Sequence, residues 1–281
     1  MLKQRVITAL VLLAILLPAV FYSQPGAFAV VALVLIAAGA WEWARLNQYG
    51  AIPSVSVGVL CAAMCAVSWY GGVLGVQLKM LWVIAGSAWV LLGAWVLRSG
   101  SAAWLRVPRV VRLLGGVLAL WVAWLAVIQA RMVGINFLFS VLVLVWIADI
   151  FAYFAGRTFG GRFFANKLAP SISPGKTWEG VCGGLIGVVM CAFVWRGIES
   201  LGLAGQASLY GRLGLVSAVF MVLAVLFLAS MSVVGDLVES LFKRSAGVKD
   251  SSNLLPGHGG VLDRVDALLP ILPLSMMLVT L

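Results

Sequence analysis

Long apolar stretches separated by short polar breaks dominate this chain. They lie near 6–22, 27–44, 55–76, 80–97, 113–130, 134–154, 180–196, 214–234 and 267–281. A helix crossing the hydrocarbon core takes about 20 predominantly apolar residues. Each stretch therefore reads as a spanning helix, the last being the shortest. The pattern predicts an all-α polytopic bundle of nine transmembrane helices forming a single integral membrane domain over 1–281. No small-residue cleavage site follows the first stretch, so it reads as a retained span rather than a signal peptide.

Composition makes a soluble globule untenable. Of 281 residues, 63% are hydrophobic and only 10% charged, against about 25% charged in ordinary soluble domains. Nineteen Lys and Arg oppose nine Asp and Glu. In a membrane protein that excess is first a topological signal, because basic residues are retained in the cytoplasm. It gives no reason to expect a nucleic-acid partner. With the N-terminus inside, fifteen basic residues fall on the cytoplasmic side, and only Lys79, Arg131, Arg196 and Arg212 fall outside. That split predicts a cytoplasmic N-terminus and an external C-terminus. The four cysteines lie in apolar stretches without metal-ligand spacing and read as packing residues. The glycine pairs Gly71/Gly75, Gly180/Gly184 and Gly183/Gly187 read as close helix contacts.

The carboxylates are concentrated. Asp236, Glu239, Asp250, Asp263 and Asp266 fall within 31 residues, together with the lone histidine, His258. A solvated loop would also carry mixed charge, but the spacing is more particular. Asp236 and Glu239 are i,i+3 and share a helix face if the eighth span continues there, with Lys243 four residues on. Asp263 and Asp266 are again i,i+3. Like charges side by side need a cation between them, and Mg2+ suits oxygen ligands. Asp149 lies inside the sixth span, where an acid costs roughly 2.5–3.5 kcal/mol at the helix centre. Tyr153 and Arg157 follow near the same face, so an ion pair with Arg157 is the plain alternative to a polar cavity. Glu42 and Glu199 stand apart.

Two loops complete the candidates. In the run from Ser171 to Gly180, Ser173 followed by Pro174 reads as an N-cap and first helical position. Free N–H groups there, beside Lys176 and Thr177, would suit an anion, although a simple helix start fits as well. Glu179 opens the seventh span. The run Pro256-Gly257-His258-Gly259-Gly260 breaks any helix and lets backbone approach a ligand.

The segments from Ser240 to Arg244, Lys249 to Ser252 and Leu255 to Asp266 resemble the signature of the phosphatidate cytidylyltransferases, or CDP-diacylglycerol synthases. Gly235 to Glu239, Asp149 to Gly160 and Ser173 to Gly180 are similar to that family too. One departure is Gly175, where many members carry a second lysine. The resemblance implies transfer of a cytidylyl group from CTP to phosphatidic acid, releasing pyrophosphate. It implies an inner-membrane enzyme surrounded by membrane lipid and often a homodimer; the charge split puts the acid cluster on the cytoplasmic side, and the short chain without a long soluble extension reads as bacterial. It also implies Mg2+ dependence, with one or two ions and room for a second, monovalent cation. The chain then divides into N-terminal spans, 1–133, and a catalytic half, 134–281, carrying the cytoplasmic segment 235–266.

On this reading Asp236, Glu239, Asp250, Asp263 and Asp266 are metal ligands or orienters. Lys249 and His258 belong to the catalytic set. Ser173, Lys176, Thr177, Lys243, Arg244 and Arg264 bind phosphates. Asp149, Tyr153, Arg157 and Glu179 line or support the cavity. A CDP-alcohol phosphotransferase would need a different acid pattern. A transporter would leave the 236–266 cluster unexplained.

Overall fold

Twelve tryptophans and thirteen phenylalanines distributed among aliphatic runs give helices apolar on nearly every face, which suits lipid rather than water. The computed structural model describes residues 2–202 and 205–280 and is all-helical among them. The helices are α1 (Leu2–Phe21), α2 (Gly26–Leu46), α3 (Ala51–Tyr70), α4 (Lys79–Arg106), α5 (Arg109–Val133) and α6 (Ile135–Phe159). They are followed by α7 (Trp178–Ser200), α8 (Leu209–Val216), α9 (Ala218–Ser245), α10 (Leu262–Val265) and α11 (Leu268–Thr280).

Eight of these, α1 to α7 and α9, are long and apolar enough to cross a membrane. The stretch expected as a ninth span is α11, with 13 residues. At 1.5 Å per residue it is about 20 Å long, short of the ~30 Å hydrocarbon core. Leu281, the last residue of that expected stretch, lies outside the described residues. The expected span 214–234 is two elements. Ser217 breaks the chain in extended geometry, and its Oγ caps α9 by accepting from Phe220 N at 2.9 Å. From there α9 runs 28 residues to Ser245, so Asp236, Glu239 and Lys243 do stand on one continuous helix. α4 is interrupted at Gly100, whose φ of +74° only glycine adopts freely, near where the apolar run was expected to end.

The tightest helix contact joins α6 and α7. A Cβ on Gly184 would lie 2.8 Å from the Ala148 carbonyl oxygen, and one on Gly180 would lie 2.9 Å from that of Ala152. Both glycine pairs of α7 therefore act as expected. Gly71 and Gly75 do not. They lie beyond the end of α3, in a turn and a short 3-10 segment, and nothing approaches Gly75 within 4 Å. Cys61 and Cys65 fill the core, but Cys182 is exposed, contrary to the packing role expected for all four.

Candidate site at one end of the bundle

The site is built where α9 ends, α7 begins and the 246–267 segment folds back. On α9, residues 236, 239, 240 and 243 are spaced three to four apart and share a face. Asp236 accepts from Ser240 Oγ at 3.3 Å, and its Oδ2 lies 2.5 Å from Lys176 Nζ. This ion pair ties the 171–180 segment to α9. Arg244 makes a second tie, donating from Nε to the Ile172 carbonyl at 3.3 Å and from a terminal guanidinium nitrogen to the Val248 carbonyl at 3.2 Å. Two segments some 60 residues apart in sequence thus meet.

The next centre is Lys243. Its ammonium lies 2.5 Å from Glu239 Oε2 and 2.6 Å from Asp263 Oδ1, with the lysine side chain only 12% exposed. Lys243 thus bridges one acid from each i,i+3 pair, Glu239 of the first and Asp263 of the second. Asp263 Oδ2 accepts three more hydrogen bonds, from Ser251 N and Ser251 Oγ at 2.9 Å each and from Gly260 N at 2.7 Å. Burial pushes the Asp263 carboxyl up, but the hydrogen bonds from Lys243, Gly260 and Ser251 outweigh it and hold it below the usual carboxylate range.

Asp266 is the opposite case. Its Oδ1 accepts only from Ala267 N at 2.7 Å. Burial, then the neighbouring Asp236 carboxylate, push it up to about 7. Asp149 on α6 lies within electrostatic reach of Asp236, Lys176 and Arg264. It does not pair with Arg157, which donates to the Tyr153 hydroxyl at 2.8 Å instead. Among the described residues, no three Asp, Glu, His or Cys side chains are gathered so that they could hold a metal ion. The five acids expected around metal are divided. Glu239 and Asp263 are engaged by Lys243, Asp236 faces Lys176, Asp266 has only a backbone donor, and Asp250 is exposed.

The 160–180 connection is held differently from expectation. Ser173 is not an N-cap. It lies in a turn, its N–H donating to the Ala169 carbonyl at 2.8 Å. Thr177 caps α7, its Oγ1 accepting from Gly180 N at 3.1 Å. Glu179 is buried in the first turn and accepts from Phe163 N and Phe164 N at 3.1 Å each, so it fixes the preceding loop. Lys249 and Arg264 are exposed beside the cluster. His258 is held in a turn by its N–H to the Leu255 carbonyl at 2.8 Å, and its buried Nδ1 has no partner among the described residues.

Sequence reasoning missed the residue that organises this loop. Glu42, on α2, is 0% exposed. Its Oε1 accepts from Ser252 Oγ at 2.6 Å and Val261 N at 2.9 Å. Its Oε2 accepts from Ser251 Oγ at 3.1 Å and Leu262 N at 2.8 Å. All four donors lie more than 200 residues away, so no local spacing reveals them. The available signal was an acid within an apolar helix, the rule that singled out Asp149. α1 adds a strap, with Arg5 Nε donating to the Gly257 carbonyl at 3.0 Å and Thr8 Oγ1 to the Pro256 carbonyl at 2.9 Å.

Gly260 lies between these anchors. A Cβ there would collide with Ser251 Oγ and Glu42 Oε1. Gly260→Ala should therefore displace both and lower turnover by about tenfold or more, with α-helical content retained by circular dichroism. Wild-type turnover in that variant would show that the loop position is not needed.

A helical bundle of membrane-crossing length with a mixed acid and base site at one end defines a polytopic membrane protein. The chain belongs to the cytidylyltransferase family, whose model matches residues 3–281. It is 40% identical over 280 residues to a phosphatidate cytidylyltransferase of Pseudomonas aeruginosa, covering 97% of this chain and 95% of that protein. It is 38% identical over 292 residues to one of Haemophilus influenzae, covering 97% and 96%.

Proposed function

We propose that this protein transfers the cytidylyl group of CTP to phosphatidic acid, giving CDP-diacylglycerol and pyrophosphate. A phosphate oxygen of phosphatidic acid attacks the α-phosphorus of CTP. The new P–O bond forms as the bond to the β-phosphate bridging oxygen breaks, and pyrophosphate carries away that electron pair. The attacking phosphate is already largely ionised near pH 7, so no strong general base is required. Both reactants are anions, and catalysis rests on holding them together and neutralising charge. The observation that carries this reading is the 2.5 Å pair between Lys176 and Asp236, which brings the anion-type segment 171–180 against the acidic face of α9.

Within that site, Lys176, Lys249, Arg244 and Arg264 supply positive charge toward the phosphates. Lys243 keeps Glu239 and Asp263 in register, and Asp263 fixes the Ser251 and Gly260 backbone. His258 offers its unpartnered ring nitrogen to a phosphate. Asp236 and Asp266 are hard oxygen donors with mutual repulsion that a divalent ion would relieve, so they are the residues fitted to hold Mg2+, with Asp149 near. Bound there, the ion would neutralise charge developing on the phosphates. The basic residues concentrated at this end support a cytoplasmic site, and the bacterial relatives support an inner-membrane enzyme. A homodimer is compatible with this arrangement.

Asp236→Asn should lower pyrophosphate release from CTP and phosphatidic acid by about 100-fold or more, while the protein remains extractable and folded. Full activity would remove Asp236 from the site.

A further inference from the structure

The opposite end of the bundle holds a second feature. A cavity of about 420 Å3 lies among the start of α4, the end of α5, α8 and the end of α11. We propose that it binds the phosphate headgroup of an anionic phospholipid, as a site separate from the reaction centre.

Charge is the first argument. Of the four basic residues at this end, Arg131 spends its guanidinium on the Val20 and Tyr22 carbonyls at 2.7 and 2.8 Å. Arg196 packs against Gly214. Lys79 and Arg212 both line the cavity, no Asp or Glu lines it, and neither cation has an acidic partner among the described residues. α4 begins at Lys79 without a side-chain cap, so the free N–H groups and positive dipole of its first turn add to the field.

Buried donors are the second, independent argument. Trp82 is 0% exposed and lines the cavity, and its indole Nε1 has no acceptor among the described residues. The buried Nε of Arg212 also lacks one. Buried N–H groups are nearly always satisfied in folded proteins, so two unpaired donors on residues that line one cavity favour an anionic guest. The remaining wall is apolar, with Met132, Val133, Met276 and Val279. A free phosphate ion has no use for such a wall, whereas acyl chains do. The volume also exceeds the needs of a lone phosphate and falls within the range of small-molecule pockets.

The test uses the full-length protein, delipidated in detergent, with lipid retention followed by native mass spectrometry and thermal unfolding. Dioleoylphosphatidylglycerol should be retained and should raise Tm. Dioleoylphosphatidylcholine and inorganic phosphate should do neither. Lys79→Gln and Arg212→Gln should each weaken phosphatidylglycerol binding about tenfold, with pyrophosphate release unchanged. Arg212 also stacks over Phe137, so if its variant fails to fold the exposed Lys79 carries the test. Equal retention of the two lipids, or binding insensitive to Lys79→Gln, would overturn the proposal. An equal Tm rise with inorganic phosphate would overturn the lipid assignment.

Discussion

Glu42→Gln should lower turnover by about 10- to 100-fold while leaving an extractable, helical protein. The substitution keeps the size of the side chain but exchanges one acceptor oxygen for an NH2 group. Each Glu42 oxygen accepts one serine hydroxyl and one backbone N–H. A hydroxyl can rotate and accept instead of donate, but the N–H groups of Val261 and Leu262 cannot. Whichever way the amide is placed, one buried backbone donor faces another donor. A hydrogen bond to a charged group contributes about 1.5–3 kcal/mol, and a buried donor left unpaired costs about 1–3 kcal/mol. That loss falls on the segment that positions Asp263, so it should appear mainly in kcat. Glu42→Asp, too short to reach all four donors, should be impaired as well. Steady-state pyrophosphate release gives the comparison. Unchanged kcat in Glu42→Gln would reduce Glu42 to a packing residue.

Removing the ammonium at the centre of the site should have the second large effect. In Lys243→Met, Glu239 and Asp263 would face each other across a mostly buried space without a cation. Breaking a buried pair by deleting one partner costs about 3–5 kcal/mol. A fall in Tm of about 5–10 °C is expected for a chain of this size, with turnover lost. The double variant Lys243→Met/Glu239→Gln removes one of the stranded charges. Asp263 still keeps its bonds from Ser251 and Gly260 there. It should recover a measurable part of the Tm, and a double-mutant cycle measures how much. No recovery would mean that Lys243 acts on stability by some route other than these acids.

These two residues mark what the sequence could reveal. Lys243 and Glu239 are four apart on one helix, so their pairing was legible once α9 was taken to continue past residue 234. That continuation stood only as a condition, because the expected apolar span ends at residue 234. The long apolar runs likewise exposed the spanning helices, because lipid removes the polar face that makes soluble helices ambiguous. Their ends were less legible. Thr177 rather than Ser173 caps α7 because residues 174–177 are turn and irregular backbone and the helix starts only at Trp178. Glu42 was illegible for a different reason. Its value lies entirely in contacts between α2 and a loop more than 200 residues later, and only the fold creates them. The same holds for Asp263, whose bonds from Lys243, Ser251 and Gly260 join three separate stretches of chain.

The central claim is that this bundle joins a nucleotide to a lipid at the end where Lys176 meets Asp236. Detergent-purified protein would be given CTP labelled at the α-phosphate, with and without phosphatidic acid and Mg2+, and the label followed into the chloroform-soluble lipid. The account predicts label in the lipid phase only when all three are present, with one pyrophosphate released per label transferred. Folded protein that leaves all label in the aqueous phase across several detergents and added lipids would contradict it.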